Sequence, residues 1–164
     1  MTRTTNRSRR SGEVGLLLDL LDEAFNRKAW HGPTLLGSLR GVGPEQASWR
    51  PAPDRHNIWE IVVHATYWKN VLRRRLTGDA SRFPLKGSNW FARPAVERVW
   101  RQEVAMLVEE HTRLRRAVAA LTPTALSRLV HGRSDTAAYS IRGIAAHDLY
   151  HAGQIQLLKR LMRV

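Results

Sequence analysis

Apolar residues recur along most of this chain at spacings of three and four, the period that lines one face of an α-helix. From Glu13 the positions Val14, Leu17, Leu18, Leu21 and Phe25 form such a face. The pattern runs to His31-Gly32-Pro33, where Gly and Pro break or kink it. A short second helix carries Leu35, Leu36 and Leu39 and ends at Gly41 to Pro44. Trp49-Arg50-Pro51-Ala52-Pro53 reads as an extended connector, because proline also disfavours helix in the residue before it. Asn57 with Glu60 three residues later is a capping-box signature, so a long helix is expected to begin there. Its seam is Ile61, His64, Trp68 and Val71, with Arg73, Arg74 and Arg75 near the end where cations favour the dipole.

Gly78 to Pro94 holds Gly, Pro, Ser and Asn with scattered apolar residues, among them Trp90 and Phe91, and reads as a long loop. Bundle connections usually run 2–8 residues, so this one predicts a crossover to a non-adjacent or parallel neighbour. A third long helix is expected from about Pro94, with a core face of Val96, Trp100, Val104, Leu107, His111, Leu114, Val118 and Leu121, stopped by Pro123. Thr124 to Tyr139 is a second long connection with one turn of helix at most. The last helix runs almost to the end with a seam of Ser140, Ile144, His147, His151, Gln154, Leu158 and Leu161. No alternating β-branched run appears, so the chain is all-α, a four-helix bundle with long crossover connections. Residues 1–11 are polar, basic and aperiodic and read as a flexible arm; residues 12–164 form one bundle domain.

Residues four apart on a helix stack on one face, so His147 and His151 can reach a single atom beside it. A lone histidine on an apolar face is commonly a hydrogen-bonded core residue, but two side by side are costly to bury unless something binds both. His64 is inward on a second helix and makes a third. Three imidazoles from two facing helices, with no fourth protein ligand evident, is the composition of an open, catalytic-type metal site. Zinc, nickel, iron and manganese all tolerate these ligands.

The absence of cysteine removes disulfides, thiolate zinc sites and cysteine nucleophiles, so a metal must be held by His, Asp or Glu. It also fits an intracellular protein. The net charge is +13, and without the four arginines of the first eleven residues 23 basic residues still face 14 acidic ones. Such a balance favours anionic partners by long-range attraction without giving specificity, so weak, non-specific nucleic-acid contact is expected. No stretch approaches the about 20 apolar residues of a membrane span, and no secretory signal is evident, so the expected location is the cytoplasm.

Asn57-Ile58-Trp59-Glu60 followed by His64, the run Ala146-His147-Asp148-Leu149-Tyr150-His151-Ala152-Gly153-Gln154-Ile155, and Trp30-His31-Gly32-Pro33 together resemble the DinB/YfiT superfamily. The resemblance covers about residues 13–162. It implies a bundle with unusual crossover connectivity, a homodimer, and a divalent metal on His64, His147 and His151. It also implies chemistry on a small molecule, since named members include thiol-dependent transferases and isomerases and proposed metal hydrolases. A low-molecular-weight thiol is therefore a candidate cosubstrate. The family label refers to damage induction, hence a stress-response setting.

Around the three histidines, Gln154 lies about 20° from His147 on the wheel, at about 100° per residue, and is a candidate substrate or outer contact. Asp148 points about 100° away and either orients a neighbouring group or closes a packing interaction. Glu60, one turn before His64, is a candidate base when it is not spent on the capping box. His111 on the third helix, His31 and His56 before their helices, and Trp68 are candidates for the pocket. His131 has only a loop context and receives no role.

The spacing His147-Asp148-x-x-His151 invites comparison with an HExxH metalloprotease helix, but Asp is one methylene shorter and the third ligand lies upstream. A di-iron bundle needs two Glu-x-x-His copies that the chain lacks. Two functional classes remain. One is a metal-dependent enzyme on a small molecule, a hydrolase or a thiol-dependent transferase. The other is a basic binding protein for nucleic acid or a protein partner in a stress response, with the metal structural or absent.

Overall fold

A computed structural model of the chain describes residues 12–93 and 96–162. Seven helices occur among them: α1 (Glu13–Phe25), α2 (Leu35–Ser38), α3 (Pro44–Ser48), α4 (Ile58–Thr77), α5 (Glu97–Ala119), α6 (Pro123–Leu126) and α7 (Ala137–Leu161). Extended pairing among the described residues is confined to three isolated bridges, so the chain is all-α. The expected basic arm, residues 1–11, lies outside the described residues, as does Pro94, the expected start of the third long helix. None of the helices is long and apolar enough to cross a membrane.

Both α1 and α4 pack on α5 and on α7, so the four long helices form a ring in the order α1, α5, α4, α7. Side-chain pairs fix their directions. Trp59 meets Trp100 and Glu103, and further along Asn70 and Arg73 meet Glu110, so α4 and α5 are parallel. Asp22 pairs with Arg115 while Phe25 stacks on His111, so α1 runs against α5. His64 faces His151 while Lys69 faces Asp148, so α4 runs against α7. It follows that α1 and α7 are parallel. Parallel neighbours cannot be joined by a tight turn, which is why the segment after Thr77 is long: it returns the chain along the length of α4.

Local chemistry sets the helix ends. Asn57 accepts the Glu60 amide at 2.8 Å and starts α4, and Thr136 accepts the Tyr139 amide at 3.2 Å and starts α7. Gly78 ends α4 in the left-handed region at φ 73°, a conformation that costs a glycine nothing. The capping box is only half made, because the Glu60 carboxylate is drawn away to Arg50 and His56. α1 stops at Phe25 instead of running to His31, as the Asn26 and Arg27 amides both turn back to the Asp22 carbonyl. α3 falls just before the extended connector expected at Trp49 to Pro53, in a stretch where the sequence pattern predicts no helix, with Pro44 in its first turn, where a missing amide does no harm.

Two apolar clusters fill the bundle. One gathers Phe25, Ile58, Trp59, Ile61, Trp100, Leu107 and Ile155; the other gathers Leu17, Leu21, Leu72, Leu114, Val118, Ile141 and Ala145. On α5 the expected face is buried at Trp100, Leu107, His111, Leu114 and Val118 and half-buried at Val104, whereas Val96 is exposed, and Glu103 and Glu110 are buried unexpectedly. Each of these carboxylates is paired: Glu103 with Arg93 and the Trp59 indole, Glu110 with Arg73. The buried face of α7 is rotated from the expected seam. It centres on Ile141, Ala145, Asp148, Ala152 and Ile155, leaving His147 half-buried at its edge and Leu161 exposed. On that face Lys69 of α4 is fully buried, with its ammonium 2.5 Å from an equally buried Asp148 carboxylate.

Candidate metal centre

α4 contributes His64 and α7 contributes His147 and His151, and their ligand atoms all lie within 4.8 Å of one another. The Nε2 of His147 is 3.0 Å from the Nε2 of His64 and 3.0 Å from that of His151. On the far side of His64, Nδ1 is 2.8 Å from the Asn89 carbonyl oxygen. A carbonyl only accepts, so Nδ1 carries the proton and Nε2 carries the lone pair. Likewise the His151 Nδ1–H donates to Gln154 Oε1 at 2.6 Å, and the Gln154 amide donates to the Tyr150 hydroxyl at 3.0 Å. Two of the three rings are therefore held in the tautomer that turns a lone pair toward the common centre.

Three neutral imidazoles cannot satisfy this arrangement among themselves. His147 has one ring proton to offer, so at least one of its two 3.0 Å contacts sets lone pair against lone pair, and its own Nδ1 is buried without a partner. Protonation is disfavoured. Burial, with the neighbouring His151, His64 and Lys69 adding to it, pushes the His147 pKa down to about 3, and burial pushes His151 down to about 4 against the bond to Gln154. Burial lowers His64 as well, opposed by the Asn89 carbonyl. A cation at about 2.0–2.1 Å from each nitrogen would satisfy all three lone pairs together. The donor set fits a divalent metal.

The long loop supplies the wall. Trp90 stacks on His64 at 4.0 Å on one face and on His56 at 3.5 Å on the other, so the three rings form a pile that fixes the plane of His64. Asn89 sits at φ 63°, a left-handed conformation that Asn tolerates better than most residues, and its side-chain oxygen accepts the Trp68 indole at 2.9 Å. Trp68 meets His64 edge-on. Thus His56 and Trp68 belong to the surroundings of the centre.

Other candidates are placed elsewhere. The Glu60 carboxylate is 2.5 Å from Arg50 and 3.0 Å from His56; burial alone would raise its pKa, but these partners hold it below the usual range. Asp148 is taken by Lys69. His111 stacks on Phe25 at 3.7 Å in the α1–α5 contact, and burial pushes its pKa to about 2. His31 lies on the outer side of α7, lining a groove with Leu149, Gly153 and Leu157. His131 lies beyond the C-terminal end of α4, near Arg74 and Arg75. Asn89, Trp90 and Tyr150 enter the site without a sequence signal: nothing along the chain places residues 89 and 90 beside 64.

A ring of four long helices with two long crossings and three converging imidazoles defines a helical-bundle protein with a candidate metal centre. The family model of the DinB superfamily matches residues 13–155, and the chain belongs to that superfamily. No curated protein and no solved structure matches the chain.

Proposed function

We propose that this protein is a metal-dependent enzyme acting on a small molecule, with one divalent ion held by His64, His147 and His151. The observation that carries the reading is the lone-pair conflict at His147 Nε2, flanked by two rings whose tautomers are already set for ligation. When bound, a divalent ion on three imidazoles supplies an open position at which water or a thiol is acidified, serving hydrolysis or thiol transfer. The chain's own contribution is orientation and shielding. Asn89 and Gln154 hold two rings, Trp90 and Trp68 exclude water from the His64 side, and Tyr150 offers an exposed hydroxyl next to His151. Neither Glu60 nor Asp148 is free to serve as a base. A binding protein without metal would have no use for three neutral imidazoles, two buried and one half-buried, held against one another at that cost.

The reading includes a low-molecular-weight thiol as cosubstrate for the transfer branch and a homodimer as the working state. The fully exposed Trp30 and the outward Leu157 and Leu161 of α7 support a second copy as partner. The test is metal analysis of the purified protein and of three alanine variants, with activity against a panel of thiols and esters. About one divalent ion per chain is expected, with sharp loss in His64→Ala, His147→Ala and His151→Ala and none in His131→Ala. Full occupancy in the His147→Ala and His151→Ala proteins would sink the ligand assignment. Unfolding on chelation would make the metal a staple.

A further inference from the structure

At the C-terminal end of α4 a separate cavity of about 630 Å³ is lined by Tyr67, Arg74, Arg75, Asp79, His131 and Gly132 among others. Arg75 lies on the same stripe of α4 as His64 but eleven residues further, about 16 Å along the axis, so this is not a wall of the histidine centre. Its polar groups are nearly all donors. Arg75 is half-buried yet its guanidinium makes no hydrogen bond or ion pair among the described residues; the same holds for the Tyr67 hydroxyl and for the His131 ring. Arg74 uses only its Nε, on the Asp79 carbonyl at 3.2 Å, leaving both terminal nitrogens. The single carboxylate present is already engaged through both oxygens. Asp79 Oδ2 accepts from Arg73 at 2.6 Å and from the Ser81 hydroxyl at 2.9 Å, and Oδ1 accepts the Ser81 amide at 2.8 Å. Those bonds, the one from Arg73 first, hold its carboxyl well below the usual carboxylate range.

Arginines in a last helical turn often need no further explanation, because they offset the helix dipole. That account covers Arg74 and Arg75, but not the convergence of a tyrosine and of a histidine from the segment between α6 and α7 on the same hollow. Unpaired donors from two segments, two of them guanidinium forks suited to planar or tetrahedral oxyanions, select an anion. The number of converging donors exceeds what a carboxylate's two oxygens use and suits the three free oxygens of a phosphate monoester. The cavity has the size of a small-molecule site. We propose that Arg74, Arg75, Tyr67 and His131 form a binding site for the phosphate group of a small molecule, independent of the metal centre.

The test is a titration of the 164-residue chain with inorganic phosphate at constant ionic strength, followed by the backbone amide shifts of Gly78, Asp79, His131 and Gly132. Saturable shifts at these residues are expected, with affinity reduced roughly tenfold or more in Arg75→Gln and unaffected in Arg142→Gln, an arginine of α7 outside the cavity. Should Arg75→Gln melt early, Arg74→Gln and His131→Ala carry the same comparison. Phosphate also coordinates metals, so the titration is repeated on His147→Ala, where undiminished binding is expected. Linear, unsaturable shifts, equal losses in Arg75→Gln and Arg142→Gln, or loss of binding in His147→Ala would each overturn the proposal. So would acetate or citrate binding as tightly as phosphate, which would make the site one for carboxylates. A short oligonucleotide that outcompetes glycerol phosphate at equal phosphate concentration, with shifts spread beyond the cavity, would replace it with a nucleic-acid surface.

Discussion

Asp148 stands next to a predicted metal ligand in sequence, yet its structural partner is Lys69, and removing it should damage folding more than metal binding. Both side chains are 0% exposed, the Lys69 ammonium lies 2.5 Å from Asp148 Oδ2, and Asp148 Oδ1 has no hydrogen-bond partner among the described residues. Burial raises the Asp148 pKa against the opposing pull of Lys69, so the carboxylate relies on the ammonium for its charge. Asp148→Ala leaves an ammonium in the core beside Phe25 with nothing to compensate it, a loss of about 3–5 kcal/mol. For a chain of this length that lowers the melting temperature by roughly 6–20 °C. Replacing the pair together, Lys69→Met with Asp148→Leu, removes both charges and their desolvation, and should return stability to within about 1 kcal/mol of the parent or above it. Urea unfolding followed by circular dichroism of the parent, both single variants and the double gives the coupling energy. Metal content of the folded double variant should match the parent. A loss under about 1 kcal/mol in Asp148→Ala, or a double variant as weak as the singles, would refute the dependence. A stable double variant that no longer takes up metal would instead make Asp148 a support of the centre.

Other outcomes follow from the same geometry. His111, His147 and His151 have pKa values near 2, 3 and 4 in the folded protein against about 6.5 unfolded, so below about pH 6.5 the unfolded state binds more protons. Stability of the metal-free protein should therefore be complete above that pH and fall by about 1.4 kcal/mol per pH unit per histidine as pH drops toward 4. His111→Leu should flatten the pH dependence of the urea midpoint by one such increment, and an unchanged slope would contradict the burial of that ring. Gln154→Ala should weaken metal binding by about 10–100-fold, measured by competition with a chelator, while Gln154→Glu should retain it, because a carboxylate accepts the same His151 proton. Trp90→Ala should also weaken metal binding and leave α-helical content intact; equal affinity would show that the ring pile does not orient His64.

The helical elements and the His147–His151 pair were legible in the sequence because each is a local property, whereas the approach of His64 to that pair, 83 residues from His147, is made by the packing of α4 on α7. Period and caps decide where helices run, and four-residue spacing puts His147 and His151 on one face whatever the rest of the chain does. The length of the 78–94 segment announced a crossover to a non-adjacent or parallel neighbour, and the side-chain pairs of α4 with α5 select the parallel one. What only the tertiary structure decided is the company each residue keeps. The wheel places Asp148 about 100° from His147 but does not say that a lysine from α4 will be buried against it, on a face of α7 turned away from the expected seam. Glu60 three residues after Asn57 signals a capping box, yet Arg50 takes the carboxylate, since a charged partner outweighs a backbone amide. The settings of His64 and His151 differ in the same way. Gln154 is three residues from His151 on one helix and could be read from the chain. Asn89 and Trp90 are 25 or more residues from His64 and reach it because a loop forced to travel back along α4 passes over the site. Spacing along a helix is fixed by backbone geometry, whereas contacts across loops are fixed by packing of the whole bundle.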